Sequence, residues 1–247
     1  MTAQRRAAVE QLDGEQLGTV FKPYVPGPES AGLLAVQGCG KSYAVKVDWV
    51  PFLRKQGCAV AFWDSSDEHT IHGKRRPGNI LGSLRQRLTV PELHEAVSVD
   101  RRVVTRRDLE LGIVPSSPFL TPKQLAAEFR SVLPILLGRG NGLVFFVEEV
   151  AQLCDHAEPE LVQLAAVWPK DISTVFMGQT PNMFPPAVRG NWTRCISGAQ
   201  TKASDRQTIG ADFGKRYAAR LANLKRGEFL VALSRPSWAV TPSRERQ

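Results

Sequence analysis

The residues best suited to chemistry lie between Ala35 and Ser42, where the chain reads Ala-Val-Gln-Gly-Cys-Gly-Lys-Ser. Gly38 and Gly40 tolerate positive φ angles and carry no Cβ, so successive backbone N–H groups can turn inward around phosphate oxygens. A lysine reaches the terminal phosphates from this position, and the hydroxyl of the following serine is a ligand for Mg²⁺. The pattern is a phosphate-binding loop (P-loop, or Walker A motif) with Ala35 in place of the usual first glycine. We therefore predict that a nucleotide is bound by Gln37, Gly38, Cys39, Gly40, Lys41, Ser42 and Tyr43.

Two adjacent carboxylates, Glu148 and Glu149, follow an apolar run much further along the chain. We predict that Glu148 is the Walker B acid that holds Mg²⁺ together with Ser42, although aspartate is the commoner residue there. Glu149 is predicted to orient and deprotonate the attacking water. Lys41 and Mg²⁺ would offset the charge on the transferring phosphoryl group.

A third polar strand end is Gln179, which follows the apolar run from Ser173 to Gly178. A glutamine beside the P-loop can hydrogen-bond the γ-phosphate or the attacking water. We predict that Gln179 is a catalytic residue that reports the state of the nucleotide.

A parallel sheet would bring these side chains together, because the carboxyl ends of parallel strands meet at one edge. Buried strands are predicted from continuous apolar runs at residues 31–37, 58–64, 142–149 and 173–179, with helical segments between them. Segments 194–200 and 228–233 are expected to complete the sheet. This alternation predicts an α/β fold with a mainly parallel central sheet and helices on both faces.

We expect one P-loop domain at residues 29–233, preceded by an N-terminal arm (1–28) and followed by a basic tail (234–247). A basic insertion is expected at residues 65–118. Further local predictions are helices at Arg5–Gln16, Ile80–Leu88 and Pro91–Val97, a strand at Arg101–Arg107, and a helix that begins at the Thr121 cap and ends at Leu137.

The composition is that of a globular protein with a polyanionic partner. The 247 residues are 43% hydrophobic and carry a net charge of +8, which favours nucleic acid. Lys74, Arg75 and Arg76 are the predicted DNA contacts. The four cysteines include no C-x-x-C pair, which argues against a zinc site or a disulfide scaffold. His69 and His72 are expected to be surface residues.

The order of motifs resembles the FtsK/HerA superfamily of DNA-pumping ATPases. After the P-loop and the acidic strand end come Gln179-Thr180-Pro181, Thr193-Arg194-Cys195-Ile196, a segment with Asp205-Arg206, and Gly227-Glu228-Phe229-Leu230. The resemblance spans residues 31–233, and the stretch from Gln179 to Arg206 is its most specific part.

Within that superfamily, the chain is most similar to the genome-packaging ATPases of membrane-containing, tailless double-stranded DNA viruses. The resemblance implies a RecA/FtsK-like P-loop NTPase that hydrolyses ATP with Mg²⁺ and translocates double-stranded DNA. It implies a homo-oligomeric ring, expected to be a hexamer, in which a trans-acting arginine completes the site. Arg194 and Arg206 are the predicted catalytic arginines, with Arg189 and Lys170 as the other candidates.

The resemblance also implies a location and docking partners. We expect no signal peptide and no transmembrane segment, because no apolar stretch approaches the ~20 residues of a membrane span. The expected location is the cytoplasm, that of the host for a viral protein, or a virion vertex. Docking partners would be a capsid vertex or a membrane-protein portal.

Two other functions fit parts of the sequence. A P-loop kinase for a small metabolite would use segment 65–118 as a lid over its substrate. A nucleotide-gated DNA-binding or partition protein would bind ATP but hydrolyse it slowly. Glu149 argues against the second alternative, because a carboxylate at this position can activate water for hydrolysis.

Overall fold

The apolar runs predicted as strands form the centre of a ten-stranded sheet. The computed structural model describes residues 9–12, 15–19, 30–70, 84–139, 142–166 and 172–233. The strands are β1 Val9–Leu12, β2 Glu15–Thr19, β3 Ser30–Leu34, β4 Ala59–Trp63, β5 Gln86–Thr89, β6 Glu110–Val114, β7 Leu143–Val147, β8 Ile172–Gly178, β9 Arg194–Ser197 and β10 Leu230–Leu233. Their order across the sheet is β1-β2-β10-β9-β3-β8-β7-β4-β6-β5.

The strands from β9 to β5 in this order run parallel, whereas β10, β2 and β1 are antiparallel additions at one side. The predicted mainly parallel sheet is therefore confirmed. Strand β8 lies between β3 and β7 and pairs with both. The end of β8 consequently lies between the P-loop and the acidic pair.

Helices cover both faces of the sheet, as predicted. They are α1 Lys41–Ala44, α2 Val50–Lys55, α3 Val90–Val99, α4 Arg102–Thr105, α5 Pro122–Leu137, α6 Ala151–Ala166, α7 Pro186–Arg189, α8 Ala203–Phe213 and α9 Lys215–Arg220. Val45, Trp49 and Leu53 belong to the apolar cluster on one face. Phe129 and Leu161 belong to the cluster on the other face.

The helix after the P-loop is continuous but irregular. A π-helical segment, Val45–Trp49, joins α1 to α2. This segment ends two residues before Pro51, whose ring would clash with the carbonyl of residue 47 in a regular α-helix. The wider π turn lets the chain stay helical to Lys55 although Pro51 lies within this helix.

Helix α5 follows the sequence prediction at both ends. Thr121 and Gln124 form a reciprocal capping box, which satisfies two N–H groups that the first turn leaves free. Gly138 follows the last helical residue. The prediction of a helix that ends at Leu137 is confirmed.

Three local predictions were wrong. The helix predicted at Arg5–Gln16 is replaced by the antiparallel strands β1 and β2. Strand β2 also pairs with β10, and this long-range pairing outweighs local helical preference. The described end of the segment predicted as a helix at Ile80–Leu88 contributes to strand β5. The strand predicted at Arg101–Arg107 contains the short helix α4.

Segment 65–118 contributes to the sheet itself. Strands β5 and β6 pair with each other, and β6 pairs with β4. Leu109, Leu111 and Ile113 are buried in the core. This segment was predicted to be an insertion into the P-loop domain. Its described part instead belongs to the central sheet of that domain.

Candidate functional site

The P-loop connects β3 to α1 and has the backbone conformation that its glycines allow. Gly38 has φ 82° and Gly40 has φ 92°, values that residues with a Cβ rarely adopt. The N–H of Cys39 donates to the carbonyl of Val36 at 3.2 Å, which closes the turn. The N-terminus of α1 follows directly after Gly40.

Lys41 bridges the P-loop and the end of β8. Its ammonium group donates to the carbonyl oxygen of Gly178 at 3.1 Å. Burial lowers the pKa of Lys41, and the carboxylates of Glu149 and Glu148 oppose that shift. The Lys41 ammonium group is thus held near the Glu148–Glu149 pair and the end of β8.

The three predicted motifs meet at one cavity of about 810 Å³, a volume ample for a nucleotide. The predicted residues that line it are Gln37, Gly38, Gly40, Lys41, Ser42, Tyr43, Glu148, Glu149 and Gln179. Cys39 is the predicted nucleotide-binding residue that does not line the cavity. Its backbone carbonyl accepts a hydrogen bond from the N–H of Gly227 at 3.0 Å. The fold thus places the P-loop, the acidic pair and the end of β8 around one space.

Glu148 lies at the floor of this cavity and is only 5% exposed. Its Oε1 is 2.8 Å from Nε2 of His69, and its Oε2 accepts a hydrogen bond from the Ser66 hydroxyl at 2.6 Å. Burial favours the neutral acid, but His69 and Ser66 outweigh this effect and lower the pKa of Glu148 to about 2. Glu148 is therefore an ionised carboxylate in a fixed orientation.

Glu149 has a strained backbone, with φ 48°. A residue with a Cβ seldom adopts this left-handed conformation, and such outliers occur at functional sites. The turn directs the chain from β7 into α6, and the Glu149 side chain lines the cavity.

His69 is buried, so the expectation that it is a surface residue was wrong; it is 1% exposed. Burial lowers the pKa of His69, but the carboxylates of Glu148 and Asp64 outweigh it and raise the pKa overall. Sequence reasoning missed this residue. Asp64, at the carboxyl end of β4, was the available signal, because the loop that follows such an end reaches the functional edge of the sheet. His72 lies outside the described residues.

The oxygen donors fit Mg²⁺. The Ser42 hydroxyl and the carboxylates of Glu148 and Glu149 line one cavity, and Mg²⁺ prefers oxygen ligands and keeps several waters. Ser42 and Glu148 are the residues that would hold it.

The two predicted arginines do not line the cavity of their own chain. Arg206 donates to the carbonyls of Gln200 and Thr201 at 2.9 and 2.6 Å. The Gln200 amide donates in turn to the carbonyl of Gln179 at 3.1 Å. Arg194 begins β9. The other candidate Lys170 and the predicted DNA contacts Lys74, Arg75 and Arg76 lie outside the described residues.

Arg226 is a cavity residue that sequence reasoning missed. It belongs to the turn before β10, where the N–H of Gly227 contacts the P-loop carbonyl of Cys39. The contact joins residues far apart in the chain, so the sequence around Arg226 gives little indication that this side chain reaches the P-loop.

The fold is similar to that of solved packaging enzymes. The DNA-packaging ATPase B204 of Sulfolobus turreted icosahedral virus superposes with a TM-score of 0.59 at 13% identity, over 84% of this chain and 93% of that chain. The genome-packaging NTPase B204 of Sulfolobus turreted icosahedral virus 2, in complex with ATP-gammaS, gives a TM-score of 0.58 at 13% identity, over 83% and 91% of the two chains. This chain has a P-loop NTPase fold. The predicted fold class, a P-loop NTPase with a mainly parallel central sheet and flanking helices, is thus confirmed.

The sequence itself matches no protein-family model and no curated protein. The P-loop NTPase fold is therefore recognisable from the structure and from short motifs rather than from overall sequence similarity. Among the described residues, no helix has the length and apolar character needed to cross a membrane.

Proposed function

We propose that this protein is an ATP-hydrolysing translocase of double-stranded DNA, and specifically a motor that packages a viral genome. The observation that carries the proposal is the convergence of Lys41, Glu149 and Gln179 on one cavity. P-loop, acidic pair and strand-end glutamine are the parts that phosphoryl transfer to water requires.

In the binding step, the backbone N–H groups of the P-loop surround the phosphates of ATP. Lys41 exchanges its hydrogen bond to Gly178 for one to the β- and γ-phosphates. Mg²⁺, held by Ser42 and Glu148, would supply positive charge at the phosphate oxygens.

In the hydrolytic step, Glu149 accepts a proton from water while the water oxygen forms a bond to the γ-phosphorus. The bond from that phosphorus to the bridging β-oxygen breaks, which releases ADP and phosphate. Gln179 hydrogen-bonds the γ-phosphate or the water. Strand β8 pairs with both β3 and β7. A shift of Gln179 on loss of the γ-phosphate would therefore act on the strands that lead to the P-loop and to the acidic pair.

The proposed DNA partner and ring rest on further observations. The net charge of +8 favours a polyanionic partner, and the similar B204 protein is described as a DNA-packaging ATPase. A trans-acting arginine must lie outside the cavity of its own subunit, as Arg194 and Arg206 do. We propose a hexameric ring in the cytoplasm that docks at a capsid vertex or a membrane-protein portal.

The decisive experiment is steady-state ATP hydrolysis by the purified protein with and without linear duplex DNA. We expect stimulation by DNA in the wild type, and loss of at least ~10²-fold of the rate in Lys41→Ala, because one preorganised charge contributes that much. Lys55→Ala, on the exposed end of the same helix, is the control and should retain the wild-type rate.

Glu149→Gln separates binding from hydrolysis. We expect ATP to bind normally and the rate to fall by ~10²- to 10⁴-fold, the contribution of a positioned general base. Hydrolysis by Glu149→Gln at the wild-type rate would show that Glu149 is not the general base. Lys41-dependent phosphoryl transfer to a small acceptor would favour the kinase, and ATP binding without turnover would favour the gated DNA-binding protein.

A further inference from the structure

We propose that His69 is a positioning residue that holds the Glu148 carboxylate in the orientation required to bind a divalent metal–nucleotide complex. This inference rests on the proposed function, because Glu148 is the residue assigned to Mg²⁺ there. His69 lies in the loop after β4. It belongs neither to the P-loop nor to the acidic pair nor to the segment that contains Gln179.

The contacts to Glu148 occupy both of its oxygens. His69 Nε2 lies 2.8 Å from Oε1, and the Ser66 hydroxyl donates to Oε2 at 2.6 Å. His69 is almost completely buried and Ser66 borders the cavity. The carboxylate cannot rotate without breaking at least one of these bonds.

The loop that carries His69 is itself held by hydrogen bonds to Asp64. The two carboxylate oxygens of Asp64 accept the backbone N–H groups of Glu68 and His69 at 3.0 and 2.8 Å. The imidazole ring also stacks on Phe62, with ring centroids 4.6 Å apart. These contacts fix the position of the imidazole independently of Glu148.

Two ion pairs tie the same loop to the surrounding elements. Lys46, in the π-helical segment after the P-loop, lies 3.6 Å from Glu68. Asp67 accepts two hydrogen bonds from Arg87 of β5, at 2.7 and 3.0 Å. These ion pairs connect the loop to the P-loop helix and to β5, and so restrict movement of the loop that carries His69.

The same atoms could be read as a metal site of their own, because potential ligand atoms of Asp64, His69 and Glu148 lie within 4.8 Å of one another. Their present bonds favour the positioning role. The Asp64 oxygens are engaged by backbone N–H groups, and the imidazole nitrogen nearest Glu148 is engaged by that carboxylate. Of the three residues, Glu148 alone lines the cavity in which a nucleotide would bind.

The test measures Mn²⁺ affinity by the loss of the free-ion EPR signal, with saturating AMPPNP, a non-hydrolysable ATP analogue. For His69→Ala we expect Mn²⁺ binding to weaken by ~10- to 100-fold, the usual effect of removing a group that orients a metal ligand. His69→Gln should restore part of the affinity, because its amide can donate from a position close to Nε2. AMPPNP binding without metal should not change.

Thr70→Val is the matched control. Thr70 is buried beside His69, and its hydroxyl has no hydrogen-bond partner among the described residues. Thermal unfolding of each variant reports whether the fold is retained. We expect Thr70→Val to bind Mn²⁺ with wild-type affinity.

Equal Mn²⁺ affinity in the wild type and His69→Ala would overturn the inference and leave the proposed ATPase intact. Equal weakening in Thr70→Val would also overturn it, since the effect would then be a general loss of structure. If the wild type binds Mn²⁺ without nucleotide and His69→Ala abolishes that binding, His69 is a metal ligand and not a positioning residue. A wild type that binds Mn²⁺–AMPPNP but hydrolyses no ATP would overturn the proposed function alone, and one that binds no nucleotide would overturn both.

Discussion

At the scale of single residues, Arg226 is the basic side chain that the last turn of the domain brings to the cavity. The N–H of Glu228 donates to the carbonyl of Lys225 at 3.0 Å, and the Glu228 carboxylate accepts the N–H of Lys225 at 2.8 Å. Gly227, with φ 81°, completes the turn and contacts the P-loop. The turn therefore places Arg226 at the border of the cavity in which a nucleotide would bind.

We expect Arg226→Ala to raise the KM for ATP by about 10-fold and to leave kcat nearly unchanged. One charge-assisted hydrogen bond to phosphate is worth about 1.5–3 kcal/mol, and 1.4 kcal/mol corresponds to tenfold in affinity. Lys225→Ala removes the neighbouring exposed charge and is the control for a general electrostatic effect. An unchanged KM in Arg226→Ala would show that the side chain does not touch the nucleotide.

The cysteines offer a residue-scale test of nucleotide binding without mutation. Burial raises the pKa of Cys154 and of Cys195 to about 12, and the thiolate is the reactive form. Cys39 is partly exposed within the P-loop, and Cys58 is partly exposed beyond the far end of α2. We therefore expect iodoacetamide at pH 8 to label Cys39 ahead of Cys154 and Cys195.

ATP should protect Cys39 selectively. At about 100 times its Kd, ATP leaves about one site in a hundred empty, so labelling of Cys39 should slow by up to about 100-fold. Cys58 is the internal control and should react at the same rate with and without ATP. Peptide mass spectrometry measures both rates. Equal rates at Cys39 would show that the nucleotide does not shield this thiol, which is not among the residues that line the cavity.

At the scale of elements, β3 is packed against the segment before β9 through a glycine. A Cβ at Gly32 would lie 2.3 Å from the ring of Trp192, which is impossibly close. Trp192 is buried, and its ring also packs edge-on against Phe184. The absence of a side chain at Gly32 lets an aromatic ring cover the P-loop strand.

We expect Gly32→Ala to lower the free energy of unfolding by about 1–3 kcal/mol, the usual cost of overpacking a core. Trp192→Leu removes the clashing ring but leaves a cavity. In the double variant the two losses should be less than additive, because each change relieves the other. Urea unfolding measures all four proteins, and simple additivity would refute the contact.

At the scale of the whole molecule, the net charge of +8 bears on the proposed DNA partner. Each phosphate contact contributes about −0.9 to the slope of log K against log salt concentration for duplex DNA. We expect Arg75→Ala with Arg76→Ala to make this slope shallower by about 2. The double variant Lys55→Ala with Lys215→Ala lowers the net charge equally and should change the slope less.

Fluorescence anisotropy with a labelled duplex over a series of salt concentrations measures these slopes. An unchanged slope for the Arg75 and Arg76 variant would exclude these arginines from the DNA contact. Equal slopes in the two double variants would indicate that only net charge matters.

Much of the fold and of the candidate site could be predicted from the sequence, because the relevant signals are local. The P-loop needs glycines at two turn positions followed by lysine and serine, all within a few residues. The central parallel strands are continuous apolar runs, and α5 begins at a threonine cap. Once these strands are parallel, their carboxyl ends must share an edge, which is why Glu149 and Gln179 could be placed near Lys41.

Only the tertiary structure decided the remaining features. β1 and β2 are strands because they pair with each other and with β10, in spite of a sequence that also suits a helix. His69 is buried against Glu148, and Arg226 reaches the P-loop, through contacts between residues far apart in the chain. No short-range preference encodes such contacts, because their free energy comes from burial and hydrogen bonds that exist only once the sheet has assembled.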